Sequence, residues 1–448
     1  MAGGVKNLDL DEMLSNRDVQ PTDSPIAEAD RAHQWHPYTQ MKDFGSHLPV
    51  VKAKGSKLYL EDGRVLIDAI SSWWVNLYGH GNEHIKKALN RQFESVDHVL
   101  FAGFTHAPAT RVAELLLPHL PGKMNRLFFS DNGSTSVEVA MKMALQYFYN
   151  QGENRRLLLA FEDAYHGDTF GAMATGGLGV FNNAFSDMLP KVVRIPVPSA
   201  NGLDATLEAL HALPLHEVAG FIYEPLVQGA AGMVFYEAND LDKILNTVKN
   251  TGAFLIADEV MTGFGRLETM FASEQMEVRP DIMCLSKGLT GGVLPMGLTT
   301  ATEEVFKGFY SDDRSKALMH GHSFTANPLG CAAAIAGLEL WASPDIQASR
   351  QQLMTLQSEA ALELEQHPAV DSVRVKGTLL AINIKTNSDS EHYGAFRDQL
   401  YAYFTNHGVL LRPLGNVIYT LPPFTTSESE MKHIYDIIRG CLDTLIEA

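Results

Sequence analysis

The chain has 448 residues, of which 45% are hydrophobic and 20% charged. That balance fits a globular protein with a sizeable core and excludes fibrous, disordered and membrane-spanning classes. Its 35 basic residues against 53 acidic ones give a net charge of −18, a surface that repels phosphate backbones and excludes nucleic acid as a main partner.

No apolar run approaches the ~18–20 residues needed to span a bilayer. The first twenty residues lack the apolar core of a secretory signal and are too acidic for a transit peptide, so a cytoplasmic location is expected. Cys284, Cys331 and Cys441 are odd in number and far apart, which points to reduced thiols rather than to a disulfide framework or a cysteine-based zinc site; no metal is expected.

In chain order, residues 1 to about 32 read as a loose acidic leader with Pro21 and Pro25, ending in a short helix. Residues 50–70 read as a meander of short strands that turns at Glu61-Asp62-Gly63. From about 81 to 335 short apolar runs alternate with amphipathic stretches. The runs at 126–130, 156–162, 220–225, 253–259 and 282–287 are candidate strands of a parallel sheet covered on both faces. After about Trp341 a helix, a pair of strands at 373–384 and a final helix from Met431 complete an α+β tail. The expected architecture is α/β, with residues 72–340 as a large domain and residues 1–71 and 341–448 combining as a smaller one.

Ligands of open α/β sheets bind beyond the carboxyl ends of the strands. After the first run, Val137, Ala140, Met141, Ala144, Leu145 and Phe148 mark one face of a helix, whose start carries Asn132, Gly133, Ser134 and Thr135. Such a start can cradle a phosphate or be an ordinary cap. The second run leads to Tyr165, His166 and Asp168 in a Gly-rich stretch, either a seat for a flat aromatic ligand or a tight loop. The glycines do not form a dinucleotide fingerprint, and no Walker A motif occurs, which argues against a nucleotide-dependent dehydrogenase.

The fourth and fifth runs end on Asp258-Glu259 and on Lys287, one strand–helix–strand unit apart, so the two charges can share a crevice. They form either a structural ion pair or, with a phosphate cup, the set of groups that pyridoxal phosphate requires: an amine for its aldehyde and a carboxylate for its ring nitrogen.

Three segments, FLIADEVMTGFGR (254–266), LSKGLTGGVLPMG (285–297) and HGHSFTANPLGCAAA (320–334), resemble the class III pyridoxal-phosphate aminotransferases. The segments WHPYTQM (35–41), SSWW (71–74), SDNGSTSVEVAMK (130–142) and AYHGDTFGAMA (164–174) are similar to the subgroup that aminates 8-amino-7-oxononanoate in biotin synthesis. The resemblance runs from Trp35 to Phe424 and implies a fold type I transferase working as a homodimer with active sites at the interface.

It further implies that Lys287 joins the coenzyme aldehyde and moves the substrate proton, while Asp258 pairs with the ring nitrogen. Gly133 and Ser134 hold the phosphate, Tyr165 and Val260 flank the ring, and Ser323 contacts the phosphate of the neighbouring subunit. For the substrate it implies Tyr38, which is also a catalytic candidate, with Trp73, Trp74, Tyr165, Gly321 and Arg412, and less directly Arg266 and Asp168. Trp73, Trp74 and Tyr38 suit the walls for a methylene chain, and the Arg412 guanidinium suits its terminal carboxylate. The implied donor is S-adenosylmethionine. Gly321-His322-Ser323 departs from the Gly-Pro-Thr common in the subgroup, which leaves lysine as an alternative donor; another ω-aminotransferase, differing at Arg412, Tyr38 and the tryptophan pair, is the alternative activity.

Overall fold

The computed structural model describes residues 24–42, 47–177, 182–385 and 395–447. The acidic leader up to residue 23, Pro21 included, lies outside the described residues. Its expected terminal helix is Pro25–His33, which starts at Ser24, whose hydroxyl caps the Ala27 N–H, and at Pro25, whose missing N–H costs nothing there.

The opening meander is β1 (Val50–Lys54), β2 (Lys57–Leu60) and β3 (Val65–Asp68), paired antiparallel. The turn between β2 and β3 places Gly63 at φ +85°, a conformation that side chains beyond glycine resist. The large sheet is built from β4 (Met124–Ser130), β5 (Leu157–Phe161), β6 (Val192–Ile195), β7 (Val218–Tyr223), β10 (Phe254–Asp258), β11 (Ile282–Leu285) and β12 (Gly297–Thr302), in the spatial order β4-β12-β11-β10-β7-β5-β6. A small ribbon, β8 (Val227–Gln228) with β9 (Val234–Phe235), follows β7. The tail adds β13 (Val370–Lys376), β14 (Leu379–Ile384), β15 (Val409–Leu410) and β16 (Val417–Thr420), of which β13, β14 and β16 form an antiparallel sheet.

Each of the five expected runs is a strand, but the sheet is mixed. β12 is antiparallel to both β11 and β4, so β4 is an edge strand that reaches the parallel set through β12. β6 closes the other edge, parallel to β5. Every residue of β7, β10 and β11 is buried, because helices cover both faces. Each fully buried Val, Leu, Ile or Phe there contributes about 1.5–3 kcal/mol.

The helix Gly133–Asn150 lies on this sheet. Its expected stripe is buried apart from Leu145, which is half-buried. Val139 and Met143, off that stripe, are buried too, so the helix packs on more than one side. All three cysteines are buried and free. No helix of the described residues is long and apolar enough to cross a membrane.

The two ends of the chain meet in one sheet, where β15 runs parallel to β3 and aligns Leu410 with Asp68. Asp68 has no exposed surface. Its carboxylate accepts from the Ser72 N–H at 2.7 Å, the Ser72 hydroxyl at 2.9 Å and the His80 ring at 2.8 Å. These bonds hold a turn in which Ser71, Ser72 and Trp74 all have positive φ, a conformation that persists only where its surroundings over-determine it. Asp68→Ala removes the acceptor shared by the Ser72 N–H, the Ser72 hydroxyl and the His80 ring, which are partly open to water. It should cost about 1–3 kcal/mol and lower the thermal midpoint, as followed by circular dichroism. An unchanged midpoint would show that the turn is held by something else.

Candidate active site

The carboxyl ends of β4, β5, β7, β10 and β11 open on one cavity of about 650 Å³. β10 delivers Asp258, and β11, one strand over, delivers Lys287 two residues past its end, at φ +43°. Asp258 lines the cavity, while Glu259 turns away from it. There it accepts from the Thr262 hydroxyl and the N–H groups of Ala272 and Ser273 at 2.7–3.0 Å, a structural anchor for the following loop.

Asp258 is 5% exposed, and both its oxygens are committed: Oδ1 to the Val260 N–H at 3.0 Å and Oδ2 to His166 Nδ1 at 2.7 Å. His166 is buried, and its other nitrogen, Nε2, makes no hydrogen bond. A histidine so placed orients the carboxylate from behind.

The half-buried Lys287 lines the cavity with its Nζ 4.5 Å from the centre of the Trp74 ring. Burial lowers its pKa to about 8, against the opposing pull of Asp258 and Glu224. Glu224, at the end of β7, also lines the cavity; burial raises its pKa to about 7. Its carboxylate accepts from the N–H groups of Tyr165 at 3.2 Å and Gly229 at 2.9 Å. Nothing singled out Glu224 in the sequence, yet it ends the apolar run at 220–225 much as Asp258 ends its own.

At the start of the helix Gly133–Asn150 both readings of the sequence hold at once. Asn132 and Thr135 form a reciprocal capping box, with Asn132 Oδ1 accepting from the Thr135 N–H and Thr135 Oγ1 from the Asn132 N–H. Gly133 and Ser134, whose N–H groups lie in the helix's first turn where no intrahelical acceptor exists, line the cavity. A Cβ at Gly133 would sit 2.9 Å from Val260 Cγ1 and would have to displace that side chain. Val260 itself lines the cavity.

A second cavity, about 350 Å³, shares Trp74, Val75, Tyr165, Asp168 and Lys287 with the first. Its further walls are Tyr38, Trp73, Pro413, Leu414 and Tyr419, and its cations are Arg412 and Arg397. The Arg412 guanidinium lies 4.8 Å from the Trp73 ring centre. Trp74 is both pocket wall and core: it is 6% exposed, and its indole N–H donates to the Tyr419 hydroxyl at 3.0 Å. Where the cavities join, Asp168 accepts from the Tyr165 hydroxyl at 3.0 Å and from the Tyr38 hydroxyl, and the two phenols are 3.2 Å apart. Burial, then these neighbours, push the Tyr38 phenol well above its ordinary pKa, so it stays a proton donor.

Among the expected residues, Gly321 and Ser323 line neither cavity; both are exposed on the loop before the helix Pro328–Trp341. Arg266 also stands outside. It is 1% exposed and donates to the carbonyls of Pro422, Trp74 and Asn76, so it shapes the wall from behind instead of meeting a ligand. Arg397 and His166 join the site without having been assigned to it from sequence. His166 stood in the quoted Gly-rich stretch, whereas Arg397 sits on the helix Ala395–Asn406, in a polar region without a motif.

The residues fit pyridoxal phosphate: a low-pKa amine for the aldehyde, a histidine-oriented carboxylate for the ring nitrogen, and a helix start with a hydroxyl for the phosphate. Residues 39–442 match the aminotransferase class-III family. The chain is 46% identical to an adenosylmethionine-8-amino-7-oxononanoate aminotransferase of Synechococcus elongatus, over 92% of this chain and 99% of that protein. It is 36% identical to one of Geobacter sulfurreducens, over 94% and 98%. A crystal structure of an adenosylmethionine-8-amino-7-oxononanoate aminotransferase from Methanocaldococcus jannaschii superposes with a TM-score of 0.89 at 32% identity, over 94% of this chain and 99% of that one. A Pseudomonas jessenii omega transaminase in complex with PMP superposes at 0.88 with 25% identity, over 95% and 99%. The fold is that of fold type I transferases and the coenzyme is pyridoxal phosphate; the chain belongs to the class III aminotransferases.

Proposed function

We propose that the chain transfers an amino group from S-adenosylmethionine to 8-amino-7-oxononanoate, giving 7,8-diaminononanoate for biotin synthesis, as a cytoplasmic homodimer. The observation that carries this reading is the continuity of the two cavities. An apolar, tryptophan-lined pocket runs from the Lys287 amine to the Arg412 guanidinium. An acceptor with a methylene chain and a distant carboxylate needs both ends of such a pocket. The Synechococcus and Geobacter relatives, named for this reaction, support it.

Pyridoxal phosphate, when bound, supplies the aldehyde that carries the amino group between substrates and a ring that takes up the electron pair at the substrate carbon. Lys287 holds the coenzyme and then moves the proton at that carbon, a task suited to an amine titrating near neutrality. Asp258, braced by His166, keeps a negative charge at the ring nitrogen. Tyr165 and Val260, which line the cavity, would flank the ring, and Gly133 and Ser134 would hold the phosphate.

Tyr38, Tyr165 and Asp168 present two hydroxyls and a carboxylate to the polar end of the acceptor. Trp73 and Trp74 exclude water along its chain. In the proposed dimer Gly321 and Ser323, remote from their own cavities, complete the site of the other copy. Residues 1–71 and 341–448 would form the smaller domain around the large one, 72–340.

Three measurements test this reading. A half-reaction panel should show S-adenosylmethionine bleaching the visible absorbance of the bound coenzyme; bleaching by lysine alone would overturn the donor assignment. Arg412→Ala should raise KM for the amino-oxononanoate about 10–100-fold with kcat little changed, because one charge-assisted carboxylate contact is worth about 1.5–3 kcal/mol. Equal KM values would remove Arg412 from the carboxylate.

The third concerns pH. Only the neutral amine attacks an aldehyde, and with Lys287 titrating at about 8, roughly one amine in ten is neutral at pH 7. Coenzyme capture by coenzyme-free enzyme should therefore rise with pH to a midpoint near 8, read by stopped-flow absorbance. A midpoint near 10 would mean that burial does not control this amine.

A further inference from the structure

The helix Pro25–His33 is nine residues long and buries a single side chain, Ala27. A helix this short is marginal alone, and one buried alanine does little to dock it. Asp30 ties it to the following chain. His36 Nε2 lies 2.9 Å from Asp30 Oδ1 and 3.0 Å from Oδ2, and His47 Nδ1 lies 3.0 Å from Oδ2. The two imidazoles stack face to face, with ring centres 3.5 Å apart and planes 16° from parallel. All three side chains are half-buried, 21–29% exposed. Among the described residues this is a trio whose ligand atoms lie within 4.8 Å of one another.

We propose that Asp30, His36 and His47 form a divalent transition-metal site, with Zn²⁺ as its preferred ion. Two imidazole nitrogens and a carboxylate are a common three-ligand set for zinc, with water completing the tetrahedron. Bonds of about 2.0–2.2 Å place tetrahedral ligand atoms roughly 3.3–3.6 Å apart, so the N–O separations of 2.9–3.0 Å would open by about half an ångström, and one imidazole would turn out of the stack, because a metal lies in the plane of each ring it binds. Each imidazole would bind the ion through a ring nitrogen without a proton, and the Asp30 carboxylate would offset part of the ion's charge.

Its ligands come from three places: the helix, the stretch just before Tyr38, and the approach to β1. A metal here would staple the segment that carries Tyr38, two residues past His36, into the substrate cavity. Such a site escaped the sequence because it uses no cysteine and its spacing matches no short motif.

The test uses the coenzyme-loaded enzyme, stripped with a chelator, dialysed, and titrated with zinc chloride. About one zinc per chain should bind by calorimetry and elemental analysis and raise the thermal midpoint. Asp30→Asn and His47→Gln should each weaken uptake tenfold or more, while keeping the coenzyme absorbance and the metal-free thermal midpoint. Zinc should also shield His36 and His47 from diethyl pyrocarbonate, mapped by mass spectrometry, a readout that needs no variant. Zinc uptake equal in wild type and variants, or modification of both histidines unaffected by zinc, would leave Asp30 as an ordinary hydrogen-bond acceptor and overturn the site.

Discussion

The pairing register of β10 with β11 is the constraint on which the site depends. Ile256 aligns with Ile282, Ala257 with Met283 and Asp258 with Cys284. Side chains alternate between the faces of a strand, so adjacent carboxylates point in opposite directions, and a one-residue slip would exchange them. In the observed register Asp258 faces the cavity with Lys287, while Glu259 is spent on Thr262, Ala272 and Ser273. Both faces of β10 and β11 are buried, so a slip would exchange side chains of different size between two packed faces and bring Glu259 to the cavity in place of Asp258. Chemistry at the strand ends is thus fixed by packing in the middle of the sheet.

The same logic explains what could be read from the sequence. Charged residues closing apolar runs were legible, because burying an ion without a partner or a task is costly. Asp258 and Lys287 emerged that way, and the helix start at Gly133 emerged from the apolar stripe that follows it. β12 did not, because GLTTAT contains only one large apolar residue. It is nonetheless buried, held by Thr299 and by pairing with strands on both sides, and β-branched threonine suits that position. The short β6, VVRI, carries an arginine whose guanidinium reaches the carbonyls of Ala174 and Gly176, contacts invisible to periodicity. Asp68 and Arg266 were similarly opaque as anchors, since their partners are backbone groups or distant residues: Ser72 and His80 for one, Pro422 and Trp74 for the other.

Those two anchors show how the chain's ends serve a site built mainly by its middle. Trp74 must present one face to the cavity and its N–H to Tyr419, which requires a backbone with φ +67°. Asp68 holds the turn from the amino-terminal side, and Arg266 holds the Trp74 carbonyl from the sheet side. Tyr419 comes from β16 and Arg412 follows β15, both contributed by the carboxyl-terminal tail. The first and last segments of the chain share a sheet and jointly wall the second cavity.

The overall charge of −18 and the chemistry of the cavity are governed by different forces. On the surface, solvent and salt screen the excess carboxylates, and their effect on an amine within the cavity is small. Inside, Asp258 and Glu224 both favour the charged form of Lys287, and Arg266 opposes it. Burial outweighs the two carboxylates and brings the amine down to about 8. Burial also brings the Glu224 carboxyl up to about 7, with the nearby His166 pulling it down and Asp258 pushing it up. Desolvation thus raises the acid and lowers the base by the same cause, and it leaves Lys287 an amine that can take and give a proton near neutral pH. An acidic surface neither supplies nor prevents that convergence; it follows from removing water from the carboxyl ends of buried strands.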